Sequence, residues 1–265
     1  MKFDTILVQG GHNPSENRNA IAVPIYQTTA YNFNDVQFAA DLFDLKVGGD
    51  IYTRISNPTT QVLEERLAMA EGGIGALCVS SGQSASLIAV LNIAKAGDEI
   101  VASENLYGGT INLLGITLEK MGIKTRFVSS QNPEDFQKEI NEKTACIFAE
   151  ALTNPSIAIA DIEGLAKVAH RNNLPLIIDN TVATPYLLNP IKFGADIVVH
   201  STTKYITGHG NAMGGVIVDS GNFDWYCSDK FKCITDKDPS YHGLSYTEAF
   251  GKAAYIVKAR AQLLR

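Results

Sequence analysis

Seven short apolar runs constrain this chain more than any other feature in it. They span 76–80, 99–102, 124–128, 145–150, 176–179, 196–200 and 215–218. Most are near-continuous in Val, Ile, Leu and Ala, as strands covered on both faces must be. Helical stretches lie between several of them, about 83–94, 110–121, 133–140 and 162–171. This alternation predicts an α/β fold, a mostly parallel sheet flanked by helices, with its ligand site at the carboxyl ends of the strands. With 265 residues, 45% of them hydrophobic, the chain can bury a sizeable core.

The two ends read differently. From Gly10 to Phe33 neither helical nor strand period is visible, so an arm over 1–56 is expected to pack on another surface. Within it a short helix, about 35–47, ends at Gly48-Gly49. A stronger helix begins at Asn57 as N-cap, with Pro58 in the first turn, and stops at Gly72. Residues 57–245 form the expected large domain. From Tyr246 to Arg265 an amphipathic pattern predicts one long helix without a terminating Gly, Asn or Pro. Its apolar face, with Phe250, Ala254, Val257 and Leu264, is expected to pack on a partner outside this chain, so 246–265 reads as the start of a connection to a smaller domain.

Charge and composition exclude several classes. A net charge of −6 supplies no basic field for nucleic acid or anionic membrane, and no apolar run is long enough to span a bilayer. Cys78, Cys146, Cys227 and Cys233 lack paired metal spacing, and the five histidines are scattered, so no metal site is expected. The start Met1-Lys-Phe-Asp has no apolar signal segment, which points to a reduced, cytoplasmic compartment.

The chemistry begins with Leu176-Ile-Ile-Asp179 and Asp196-Ile-Val-Val-His-Ser-Thr-Thr-Lys204. Each is an apolar strand delivering one functional group, a carboxylate and an amine. Pyridoxal phosphate needs both: an amine for its aldehyde, and an acid to keep its pyridine nitrogen protonated. A solvated loop lysine is the alternative for Lys204 alone. Val79-Ser-Ser81-Gly82-Gln83-Ser84 joins a strand to a helix, where a glycine and free amides suit a phosphate, though an ordinary turn looks the same. Ser201 and Thr203 offer hydroxyls to that phosphate, or else cap a turn. Tyr107, in Leu106-Tyr-Gly-Gly-Thr110, suits ring stacking and proton transfer, or is a surface tyrosine. Asn154 is placed to bond the pyridine hydroxyl, or only forms an Asn-Pro turn. Tyr52 and Arg54 pair a phenol with a guanidinium fork, a match for a phosphate dianion. A dinucleotide fingerprint fails, because Cys78 stands where the third glycine belongs after Gly73-Ile-Gly75.

Tyr52-Thr-Arg-Ile-Ser-Asn-Pro-Thr59, Ser80-Ser-Gly82, Tyr107-Gly-Gly-Thr110, Asp179-Asn-Thr181 and His200-Ser-Thr-Thr-Lys-Tyr205, in this order, resemble the pyridoxal phosphate enzymes of cysteine and methionine metabolism. The resemblance implies the aspartate-aminotransferase fold (fold type I), with Lys204 as Schiff-base lysine, Asp179 on the pyridine nitrogen and Tyr107 on the ring. It implies phosphate contacts from Gly82, Gln83, Ser201 and Thr203. It also implies Tyr52 and Arg54 entering from a neighbouring subunit of a homo-oligomer, dimer or tetramer. Gly208–Trp225 and Asp238–Tyr246 are similar to O-acetylhomoserine sulfhydrylases, transferases of methionine biosynthesis acting on O-acetyl-L-homoserine with sulfide or a thiol. Gly109 stands where methionine γ-lyases usually carry cysteine. The runners-up are cystathionine γ-synthase or a γ-lyase on the same scaffold, and a non-catalytic fragment, since the family's chains continue into a small domain carrying the arginine that binds the substrate carboxylate.

Overall fold

The computed structural model describes residues 1–264, so Arg265, the last residue of the expected terminal helix, lies outside the described residues. Seven strands form one sheet: β1 (Gly75–Val79), β2 (Glu99–Ser103), β3 (Lys124–Val128), β4 (Thr144–Glu150), β5 (Leu176–Asp179), β6 (Ile197–Ser201) and β7 (Gly215–Asp219). Their order is β1-β7-β6-β5-β4-β2-β3. All pairs are parallel except the two made by β7, which runs against both β1 and β6. The carboxyl ends of six strands and the amino end of β7 therefore share one edge.

Side-chain alternation divides the sheet between two cores. Cys146, Phe148, Ile177, Ile197, Val199 and Ile217 face one, while Ile147, Ala149, Leu176, Ile178, Val198, Val216 and Val218 face the other. Burial of both sets explains why the central strands are apolar throughout. The outer strands β1 and β3 are incompletely buried over most of their length.

The helices follow their local signals. Asn57 caps Pro58–Glu71 by accepting from Thr59 N, and Gly72 ends it at φ +79°. Asp161 caps Ile162–Arg171 in the same way, accepting from Gly164 N. The stretch expected as 110–121 is Gly108–Asn112 and Leu118–Lys120 joined by a wider π turn over Leu113–Thr117.

The two ends carry structure that their sequence patterns do not reveal. The arm carries a helix, Phe3–Gln9, and is anchored on its own chain: Arg66 Nε donates to Gly10 O at 2.9 Å. The helix is too short for apolar period to reveal it. The segment from Tyr246 is not one helix either. It breaks at Gly251 (φ +53°, ψ −123°) between Tyr246–Phe250 and Ala254–Lys258. Nor does its apolar face wait for an outside partner. Tyr255 stacks on Trp225 at 5.3 Å, and its hydroxyl donates to Ala89 O. Arg260 reaches Glu64 Oε2 at 2.5 Å.

Candidate active site

Several of the residues singled out from sequence lie at the shared edge; Tyr52 and Arg54 do not. Asp179 is the last residue of β5, and β6 beside it ends at Ser201, three residues before Lys204. Three glycines let the loops close on one another. A Cβ on Gly82 would lie 2.5 Å from Ser201 Cβ, one on Gly215 2.0 Å from Ser81 O, and one on Gly214 2.5 Å from Thr202 Oγ1. The turn after β1 thus presses directly on the loop that carries Lys204, although β7 lies between their strands.

The groups divide into those already committed to protein bonds and those left free. Ser81 is the N-cap of the helix Gly82–Leu91, its hydroxyl accepting from Ser84 N. Thr203 Oγ1 donates to Gly214 O and accepts from Gly214 N. Both hydroxyls therefore serve the loop itself. By contrast, among the described residues the amides of Gly82 and Gln83, the Ser201 hydroxyl and Lys204 Nζ have no protein partner. Free amides at the start of a ten-residue helix suit a phosphate.

Asp179 shows the same division within one carboxyl group. Thr181 donates to Oδ1 from its amide at 2.9 Å and from its hydroxyl at 2.5 Å. No protein donor reaches Oδ2 among the described residues. Thr181 Oγ1 also accepts from Ser201 N at 2.8 Å, tying the acid to the lysine loop. Burial pushes the Asp179 carboxyl up, while the Thr181 bonds and the nearby His200 pull it back. A cationic ring N–H at Oδ2 would offset that burial. The chain's own residues thus fit pyridoxal phosphate: amides and Ser201 for phosphate, Asp179 Oδ2 for the pyridine nitrogen, and Lys204 for the aldehyde.

Tyr107 and Asn154 approach from the β2 and β4 side. Both are exposed, and both donate a backbone N–H to Glu150 Oε2, at 3.0 and 3.3 Å. A Cβ on Gly109 would sit 2.5 Å from Tyr107 Cε1, so this glycine makes room for the ring as it lies here. Gln83 Nε2 donates to Thr110 Oγ1 at 3.1 Å, joining the β1 turn to the Tyr107 loop. Tyr52 and Arg54 do not join this group. Arg54 donates to Leu264 O and lies 5.4 Å from the Tyr52 ring centre, and neither bonds to the Lys204 loop.

Sequence reasoning passed over several supporting residues. Glu150 ends a buried strand with an acid, the same signal that marks Asp179, and the two are register partners in β4 and β5. Burial and the neighbouring charge of Asp179 push Glu150 up to about 8. Behind the site, His200 Nε2 meets Glu71 Oε1 at 2.6 Å, and Asn180 Nδ2 donates to the same oxygen at 3.0 Å. No local pattern signals that trio, because Glu71 belongs to a helix 109 residues before Asn180.

The sequence pattern of the family described as "Cys/Met metabolism PLP-dependent enzyme" matches residues 4–242. The O-acetyl-L-homoserine sulfhydrylase of Leptospira meyeri is 53% identical over 272 residues, covering all of this chain and 61% of the relative. The homocysteine/cysteine synthase of Saccharomyces cerevisiae is 46% identical, covering 99% of this chain and 60% of the relative. The chain spans about three fifths of the length of these curated relatives. Among solved structures, one described as an O-acetylhomoserine (thiol)-lyase of Campylobacter jejuni, carrying a pyridoxyl-lysine monophosphate, superposes with a TM-score of 0.89 at 37% identity. It is matched by all of this chain over 71% of its own.

Proposed function

Since this chain belongs to the Cys/Met metabolism family of pyridoxal phosphate-dependent enzymes, we propose that it carries the cofactor machinery for γ-replacement on O-acetyl-L-homoserine. Sulfide or a small thiol replaces acetate, giving homocysteine or methionine. The observation that carries the cofactor assignment is the convergence of unengaged groups at one sheet edge: Lys204 Nζ, Asp179 Oδ2, the Ser201 hydroxyl and the Gly82 and Gln83 amides. The choice of substrate is supported by the names of the relatives.

When bound, pyridoxal phosphate supplies an electron-withdrawing ring that stabilises negative charge at the substrate's α-carbon. The chain's residues do the rest. Asp179 Oδ2 would hold the ring nitrogen's proton, and the amides of Gly82 and Gln83, with Ser201, would anchor the phosphate. Asn154 would serve the ring's hydroxyl. With the cofactor bound, Lys204 Nζ would take the substrate's α-proton; loss of a β-proton would then release acetate from the γ-carbon, with Tyr107 exchanging a proton at that group, and the incoming sulfide or thiol would add at the γ-carbon as the protons return. The same reading places 1–56 as an arm, 57–245 as the cofactor domain and 246–265 as a connecting segment, in a cytoplasmic enzyme. It also draws Tyr52 and Arg54 to the phosphate of a second copy in a homodimer or homotetramer, because on their own chain they stay away from the Lys204 loop.

One set of assays tests the reading on the protein at its full natural length. With O-acetyl-L-homoserine and sulfide it should release acetate and homocysteine; faster turnover of cystathionine or methionine would overturn the substrate assignment. In the same assay, the inactive variants Arg54→Ala and Lys204→Ala, mixed and reassembled, should recover roughly a quarter of wild-type activity. Half the dimers would be hybrids, each with one intact site. No recovery despite confirmed hybrids would refute the shared site.

A further inference from the structure

We propose that Glu150 is a positioning residue that clamps the Tyr107 and Asn154 loops to the strand end beside Asp179, and so sets the angle at which Tyr107 meets the cofactor. The inference rests on the cofactor reading above.

Glu150 terminates β4, whose seven residues are all buried, and it is itself only 4% exposed. It stands opposite Asp179 in the parallel register. A buried acid next to a second acid is an unfavourable placement unless it does something there. What Glu150 does is structural. Its Oε2 alone accepts two backbone N–H groups, from Tyr107, 43 residues earlier in the chain, and from Asn154, four residues later. These are the loops expected to cover the ring and to bond its hydroxyl side.

Among the described residues, Glu150 is the one acceptor of the Tyr107 amide. The helix that follows, Gly108–Asn112, has no capping side chain of its own, and Tyr107 is 48% exposed. After Tyr107 the chain is small: Gly108 has open space around it, and a Cβ on Gly109 would meet the Tyr107 ring. With Leu106 buried on the other side, the amide at the root of the side chain, held by Glu150, fixes the point about which the ring can swing. A carboxyl held up at about 8 is mostly neutral at pH 7 and accepts through oxygen much as an amide does. Glutamine should thus preserve the clamp, whereas alanine should release it.

The test compares Glu150→Ala and Glu150→Gln with wild type in the full-length protein. Hydrogen exchange is read by mass spectrometry on peptides spanning 104–112 and 151–158, without cofactor. Visible circular dichroism and turnover are read after pyridoxal phosphate is added. In Glu150→Ala, exchange in both peptides should accelerate about tenfold while β4 and β5 keep their rates, as expected when one acceptor of two local bonds is lost. The cofactor's dichroic band should weaken, and kcat should fall more than KM rises. Glu150→Gln should stay close to wild type in all three readouts. If Glu150→Ala does not fold, Glu150→Met, similar in length but lacking the acceptor, must show the same exchange pattern. Unchanged exchange in the alanine or methionine variant overturns the proposal. So does a glutamine variant as inactive as alanine with wild-type exchange, which would assign Glu150 a charge or proton role. A wild-type protein that takes up no pyridoxal phosphate would instead sink the cofactor reading, independently of the exchange result.

Discussion

The two edges of the sheet bury acids on neighbouring strands, and they treat them differently. At the amino edge, Asp196 Oδ2 accepts from Leu176 N and meets His170 Nε2, both at 2.8 Å. Beside it, Asp219 Oδ1 takes Gly221 N at 2.9 Å, and its Oδ2 is enclosed without a partner among the described residues. Burial pushes Asp219 up to about 7, so this acid retains a proton through the acidic range. At the carboxyl edge, Asp179 likewise has one filled oxygen and one empty one, but it is only partly buried. Burial alone does not identify a functional acid, since both edges have it. An unfilled oxygen that a ligand can reach does.

The largest effect that would sharpen this contrast belongs to Asp179. Asp179→Asn removes the charge that holds a ring proton, so turnover should fall by about a thousandfold or more. Thermal unfolding should stay near wild type, because burial already disfavours the charged form. Near-normal turnover would erase the distinction between the edges. Asp196→Ala should do the reverse. It leaves the buried Leu176 amide unpaired and should cost about 3 kcal/mol in denaturant unfolding, with cofactor absorbance at Lys204 unchanged. Loss of that absorbance in a folded variant would mean that the amino edge also shapes the site.

The smallest effect concerns pH. Asp219 binds its proton more tightly folded than unfolded, so its contribution to stability is lost as pH rises from about 4 toward 7. Asp219→Asn has no such proton to lose. Its stability should therefore decline less than wild type between pH 5 and pH 7.5, by about 2 kcal/mol. Parallel pH profiles for the two proteins would show that the enclosed oxygen has a partner after all.

Much of this was readable in the sequence, for local reasons. All seven strands appear near their expected positions because burial on both faces makes them apolar throughout, and Asn57, Pro58 and Gly72 mark the ends of their helix. Asp179 and Lys204 could be paired because each follows such a strand. What escaped depends on contacts between distant segments. The antiparallel course of β7 cannot be read from Gly215–Asp219 itself, yet it brings Gly82 against Ser201. Glu150 matters through the amide of Tyr107, which no spacing rule connects to it. The terminal segment has helical period across Gly251, but the backbone there turns to φ +53° and breaks it. The engaged hydroxyls of Ser81 and Thr203 were likewise invisible without their partners.

Among the described residues β1 is joined to the sheet only through β7, although some 140 residues separate the two in sequence. A chain emerging from the ribosome can fold β2 to β6 well before this pairing is possible. Until 215–219 have been made, the turn carrying Gly82 has no strand to hold it against Ser201. Closing so long a loop is slow relative to local helix formation. The corner of the site formed by Gly82 and Ser201 therefore rests on a pairing that must close about 140 residues of chain.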